Sequence, residues 1–188
     1  RRVLFRSQSN AGALNVSYAQ ATDADTTTTL NKINSGTYTL NVSGVSAANV
    51  SSLAANTKVT SMLVTDTSAN IATNLDALQT NQAKITSITQ SGTPAALDVT
   101  YSQVTSAAQA LAKIDSNVYT LNVSGVSAAN VSSLAANTKV TSMLVTDTSA
   151  NIATNLDALQ TNQAKITSIT QSGTPAALDV TYSQVTSA

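Results

Sequence analysis

Tyr38 to Ala107 reads YTLNVSGVSAANVSSLAANTKVTSMLVTDTSANIATNLDALQTNQAKITSITQSGTPAALDVTYSQVTSA, and Tyr119 to Ala188 reads the same, residue for residue. Tyr119 stands 81 positions after Tyr38. Self-similarity at a fixed period marks solenoids, propellers and arrays, in which each unit buries its apolar face on its neighbours. A weaker copy comes before the first. Ala13-Leu14-Asn15-Val16-Ser17-Tyr18-Ala19-Gln20 matches Ala96-Leu97-Asp98-Val99-Thr100-Tyr101-Ser102-Gln103, and Lys32-Ile33 matches Lys113-Ile114. The chain therefore divides into residues 8–37, the degenerate end of a preceding repeat, 38–118, a complete repeat, and 119–188, a truncated identical one. Both ends are expected to cut through a repeat, and the natural protein to be longer.

Within one period the apolar spacing alternates between two and about 3.6, the periods of strands and helices. Tyr38, Leu40 and Val42 alternate as one face of a strand. Ser46 then caps a short helix over 46–56 with Ala47, Val50, Leu53 and Ala54 on one face. A second strand, Thr60 to Thr65, leads through Asp66-Thr67-Ser68 into a helix whose Ile71, Leu75 and Leu78 share a face. Lys84 to Thr89 reads as a β-branched strand, and Ser91-Gly92-Thr93-Pro94 as a turn. Leu97, Val99 and Tyr101 alternate again, and Val104, Ala107, Leu111 and Ile114 form a third helical face.

One period thus holds four short strands and three helices, spaced as helical crossovers between parallel strands require. The expected fold class is α/β, a repeat solenoid of short, mostly parallel strands alternating with short helices. At 91–95 a hairpin would reverse the chain once per period, whereas an arc between two sheets would keep its direction. The arc is the expectation, because a uniform coil with right-handed crossovers then propagates.

Composition narrows the function. All three arginines (Arg1, Arg2, Arg6) and the only phenylalanine (Phe5) fall in the first seven residues. Residues 1–7 resemble the in-frame translation of the end of a common sequencing-library adapter, so they are set apart as an artefact of a gene fragment read from an environmental assembly. After Ser7, nine aspartates face six lysines, a net charge of −3. Lone lysines in an acidic chain do not make the basic footprint that neutralises phosphates, so no nucleic-acid partner is expected. No run approaches the roughly 18 apolar residues of a membrane span, and no secretion signal is read within the chain. With no His, Cys or Glu, triads, zinc-thiolate sites and glutamate-dependent hydrolysis lack their residues, and no catalysis and no cofactor are expected.

The run Val64-Thr65-Asp66-Thr67-Ser68-Ala69-Asn70-Ile71-Ala72-Thr73-Asn74-Leu75-Asp76-Ala77-Leu78, followed by Lys84-Ile85-Thr86-Ser87-Ile88-Thr89, resembles repeats of very large bacterial secreted or surface proteins of the RTX-type, adhesin-like kind. The likeness spans Ala13 to Ala188. It implies an extracellular or cell-surface location and a structural or adhesive stalk without a known reaction. The partners it implies are the neighbouring repeats of the same chain, with a surface glycan as a further candidate. The alternative is an adhesin array that binds glycan or calcium. Many such proteins carry Gly-Gly-x-Gly-x-Asp calcium repeats and leave by type I secretion; that calcium motif is absent here.

Individual residues read mainly as structure. Asp76 points away from the Ile71 face and is expected in solvent. Asp66 precedes a helix and is expected to cap it. Asp23 and Asp25 have the spacing that could open a calcium loop, but the Gly and distal Glu of such a loop are missing, so a loosened helix start is expected instead. Gly44 and Gly92 read as turn residues. Asn41-Val42-Ser43 and Asn49-Val50-Ser51 match glycosylation acceptors but fall in a predicted strand and a predicted helix. No catalytic, cofactor-binding or metal residue is assigned.

Overall fold

The computed structural model describes residues 12–33, 38–115 and 118–186; the basic segment 1–7 lies outside them. In the first half, β1 (Leu14–Ser17), α1 (Tyr18–Thr22) and α2 (Ala24–Leu30) lead to β2 (Leu40–Val45). A 3-10 turn (Ala47–Asn49) and α3 (Val50–Ala54) follow, then β3 (Val59–Asp66), α4 (Ser68–Thr73), α5 (Leu75–Thr80) and β4 (Ile85–Gln90). The second half runs β5 (Leu97–Thr100), α6 (Tyr101–Ser106), α7 (Ala108–Leu111), β6 (Leu121–Val126), α8 (Val131–Ala135) and β7 (Val140–Asp147). It closes with α9 (Ser149–Thr154), α10 (Leu156–Thr161), β8 (Ile166–Gln171) and α11 (Tyr182–Thr186).

The strands form two four-stranded parallel sheets, ordered β1-β2-β3-β4 and β5-β6-β7-β8, so that each strand pairs with the next in sequence. Helices occupy the crossovers, as parallel pairing requires. The second sheet reproduces the register of the first. Leu40 faces Val59 and Leu121 faces Val140, Met62 faces Ile85 and Met143 faces Ile166.

The sheets are joined at the arc. β4 and β5 lie in different sheets, so no hairpin forms at 91–95. After α7 the chain returns to the first sheet for one parallel bridge, Ile114 to Ile88, before β6 pairs with β5. Meanwhile β5 packs against α4.

The core lies between the inner sheet faces and the helices. Leu40, Val42, Val45, Met62, Val64, Ile85 and Ile88 come from the first sheet and meet Val50, Leu53, Ile71, Leu75 and Leu78 from the helices. Fully burying one such side chain is worth roughly 1.5–3 kcal/mol, and helices of four to seven residues have no stability of their own, so these elements exist by packing. The β2–β3 and β3–β4 pairings, and their counterparts in the second sheet, break strict alternation at register shifts. Between Val42 and Val45, β2 carries one residue more than β3 carries between Met62 and Val64, a bulge that returns Val45 to the inner face.

That bulge corrects the reading of Gly44. It lies within β2, not in a turn, at φ +68°, and a Cβ there would meet nothing within 4 Å, so the backbone angle is what demands glycine. Four further expectations are modified, one of them the third helical face, which is split at Ala107 between α6 and α7, with Ile114 in the bridge to Ile88 and not on a helix. The helix expected through Ile71, Leu75 and Leu78 is two helices divided at Asn74, whose amide donates to Asn70 O (2.9 Å). An asparagine side chain that bonds the preceding turn competes with the helical ladder. The helix expected at 46–56 begins as a 3-10 turn. Tyr101 opens α6 and does not extend β5, because Thr100 and Gln103 form a reciprocal capping box there.

Candidate functional site

The most elaborated polar site is the corner where β3 meets α4. Asp66 ends β3 with its side chain buried. The Ala47 N–H donates to Asp66 Oδ2 (2.9 Å), and the Thr67 N–H (2.9 Å) and Asn70 Nδ2 (2.7 Å) donate to Oδ1. Ala47 belongs to the preceding crossover, so this carboxylate ties two successive crossovers together. Burial opposes ionisation of Asp66, but the bonds from Asn70, Ala47 and Thr67 outweigh it and hold the carboxyl below the ordinary aspartate value of 3.8. Asp147 repeats the arrangement with Ala128, Thr148 and Asn151 at 2.9, 2.8 and 2.7 Å, and its pKa is lowered in the same balance.

The same corner anchors the arc. The buried Ser68 hydroxyl accepts from Ala95 N–H (3.0 Å) and Gln90 Nε2 (2.8 Å), while Ser91 N–H donates to Asp66 O (2.7 Å). Ser149 and Asp147 hold Ala176 and Ser172 likewise, at 3.0 and 2.7 Å. Asp66 is thus not the helix cap expected of it but the last residue of β3, its carboxylate bonded to Ala47, Thr67 and Asn70. Thr67 is the N-cap of α4, accepting from Asn70 N–H (3.3 Å). The polar groups of the corner are bonded to backbone N–H groups and to the side chains of Asn70 and Gln90, which ties the crossovers and the arc together.

The outer sheet faces carry short polar rows. Asn41 Nδ2 donates to Asn15 Oδ1 (3.1 Å) and Ser61 Oγ to Asn41 Oδ1 (2.6 Å). In the second sheet Asn122 Nδ2 donates to Asp98 Oδ1 (2.8 Å) and Ser142 Oγ to Asn122 Oδ1 (2.7 Å). Beside them Leu63 is 45% and Leu144 41% exposed.

The lysines are structural where their contacts are resolved. Lys84 Nζ donates to Ala54 O (2.7 Å) and Asn56 O (3.3 Å), closing the C-terminus of α3, and Lys165 does the same for α8 at Ala135 O (2.7 Å) and Asn137 O (3.3 Å). Lys113 Nζ donates to Ile85 O. Lys58 and Lys139 lie over the rings of Tyr38 and Tyr119, 4.8 and 5.0 Å from the centroids. Sequence reading passed over these lysines; their one signal is a recurrence once per crossover.

A cavity of about 510 Å³ opens at the free end of the second sheet, lined by Leu156, Leu159, Gln160, Ile166, Ile169 and Gln184 among others. In the first sheet the counterpart is covered by Ala107 to Ile114. There Ala110 N–H donates to Gln79 Oε1 (2.9 Å), Gln79 Nε2 to Gln109 Oε1 (2.9 Å) and Ile88 N–H to Lys113 O (2.8 Å). The contrast is large: Ile88 is 0% exposed and Ile169 44%.

The remaining candidates fall in separate places. Asp76 is exposed on α5. Asp23 caps α2 by accepting from Thr26 N–H (2.8 Å), which lowers its pKa, and Asp25 follows in the first turn. Gly92 has φ +73° in the arc. Asn49 donates to Ser46 Oγ (2.8 Å) at the start of the 3-10 turn. Among the described residues no group of three or more acidic side chains could hold a metal ion, and no helix is long and apolar enough to cross a membrane. No family model, curated protein or solved structure matches the chain.

Proposed function

We propose that the chain is a structural or adhesive stalk segment of a large extracellular bacterial repeat protein, built as a solenoid with an 81-residue period. The observation that carries the reading is the arc. It lifts the chain from one parallel sheet to the next, and the second sheet then repeats the register of the first, with Ile114 still bridged to Ile88. A unit that passes its own end to an identical unit can be added without limit, so repeat number sets length and each interface adds a similar stability. The polar groups of the corner are consumed in holding this joint, as a load-carrying role requires. The resemblance of the run from Val64 to Leu78 to repeats of large secreted proteins is the support for a surface location.

Solution scattering of this chain beside one lengthened by one 81-residue period tests the reading. The maximum dimension should grow by a fixed increment; a near-spherical particle with little growth would overturn it. The polar rows at Asn15–Asn41–Ser61 and Asp98–Asn122–Ser142 favour a second reading, an array that binds glycan or calcium. Calorimetric titration with calcium and with simple glycans should then give heat in proportion to the number of periods, and a flat titration removes it.

A further inference from the structure

We propose that a cavity at the N-terminal end of the second sheet is a subsite for a hexuronate unit of an acidic glycan. The inference rests on the array reading above and moves its site from the outer rows to this cavity. In the rows the polar side chains bond one another, Asn41 to Asn15 and Ser61, Asn122 to Asp98 and Ser142. The cavity measures about 500 Å³, within the range of about 300–1,000 Å³ usual for small-molecule sites. It lies between the arc before β5, the approach to β6 and the approach to β7.

Backbone bonds hold these walls in place before any ligand arrives. Ala95 N–H donates to Ser68 Oγ (3.0 Å), Leu97 N–H to Thr120 O (2.9 Å) and Leu121 N–H to Lys139 O (2.8 Å), so the arc, β6 and β7 are fixed in turn. Asn137 closes the turn ahead of β7, its Oδ1 accepting from Lys139 N–H (2.9 Å). Walls fixed in this way leave little ordering to be done on binding.

The lining selects the ligand. Pro94, Ala95 and Val118 offer an apolar wall that matches the C–H face of a pyranose ring, and Thr120 and Thr138 present exposed hydroxyls. Lys139 is the only charged residue among those lining the cavity, and no carboxylate joins it. Its Nζ lies over the Tyr119 ring, 5.0 Å from the centroid, which fixes the ammonium against the wall. Burial raises the Tyr119 pKa above its ordinary value of 10.0, so the phenol keeps its proton beside that charge. A carboxylate on a pyranose thus meets an ammonium, and the ring hydroxyls meet hydroxyls. Lys58 lies over Tyr38 in the same way, at 4.8 Å, so the basic wall recurs with the period.

Fluorine NMR of the full chain carrying fluorotyrosine tests this. The chain has five tyrosines, and Tyr119→Phe identifies the Tyr119 signal by its loss. Methyl glucuronide should move that signal saturably and bind about tenfold more tightly than methyl glucoside, the scale of one charge-assisted hydrogen bond. Lys139→Met keeps the apolar stem and removes the charge, and should bring the glucuronide down to the affinity of the glucoside. Ala95→Trp fills the cavity from an exposed position and should abolish both shifts. Circular dichroism confirms that each variant is folded, and Ala95→Trp carries the test if Lys139→Met is not. A Tyr119 signal that neither sugar moves, an equal response to the two sugars, or a glucuronide affinity unchanged in either folded variant would overturn the proposal. Heat from other glycans in proportion to the number of periods, with Tyr119 unmoved by the glucuronide, would sink this cavity and leave the array reading standing.

Discussion

Asp66 ends a strand whose outer residues face water, yet its own carboxylate is enclosed by three N–H donors, one of them Ala47, 19 residues earlier. Spread over both carboxylate oxygens, those donors favour the ionised form. In the unfolded chain the carboxyl returns to its ordinary value, so between the lowered folded pKa and about 3.9 the unfolded state binds more protons and stability rises with pH. The contribution is therefore complete above about pH 5 and is lost as pH falls through the folded pKa. Asp66→Asn with Asp147→Asn should flatten this acid limb in urea melts taken from pH 3 to 7; an unchanged limb would remove the corner from the account. Gly44→Ala is the sharpest backbone test, since φ +68° costs a side-chain-bearing residue about 1–2 kcal/mol, read as a lower urea midpoint at unchanged slope. At this scale the sequence was only partly legible. Asp66 ahead of a helix announced a cap, but nothing local marks a partner on another crossover, and Gly44 between two valines of a strand looks no different from a turn glycine.

Elements were more legible, because the apolar spacing that marks them is also what builds them. The four strands of a period lie within a few residues of their expected bounds, and Ile71, Leu75 and Leu78 share one buried face. What escaped were the bulges and the helix division at Asn74, where a polar side chain redirects a few backbone bonds without disturbing the apolar pattern. Identical sequence does not mean identical burial. Leu75 is closed over by α7, but Leu156, the same residue of the next copy, lies half-buried at the open end. Leu75→Ala should cost about 2–5 kcal/mol, within the range for deleting a closed core side chain. Leu156→Ala should cost clearly less, about 1 kcal/mol on the same scale, since water already reaches the site. Thermal melts of the two variants compare them directly. Equal losses would mean that the end of the stack is as closed as its middle.

For the whole molecule, the stalk reading puts stability in the joints between units more than in any unit. The arc is held by Ser68 and Asp66 O, the return bridge by Ile88 and Ile114, and both reappear or are prepared for in the second copy through Ser149, Asp147 and Ile169. Deleting residues 38–118 tests whether the joints are interchangeable. The cut joins Thr37 to Tyr119, which has the sequence surroundings of Tyr38, so β1 should pair with β6 as it pairs with β2, Leu14 taking Leu121 in place of Leu40. The β6–β7 and β7–β8 registers need no change. With nearest-neighbour coupling, the shortened chain loses the interfaces of one unit and keeps the rest. It should fold with the same circular dichroism per residue, melt in one transition at a lower temperature, and keep its slowest-exchanging amides in β6 and β7. An unfolded product would show that β6 depends on β5 and the arc beneath it in a way β1 cannot replace. The two sheets would then be parts of one indivisible core, and length could not be adjusted by counting repeats.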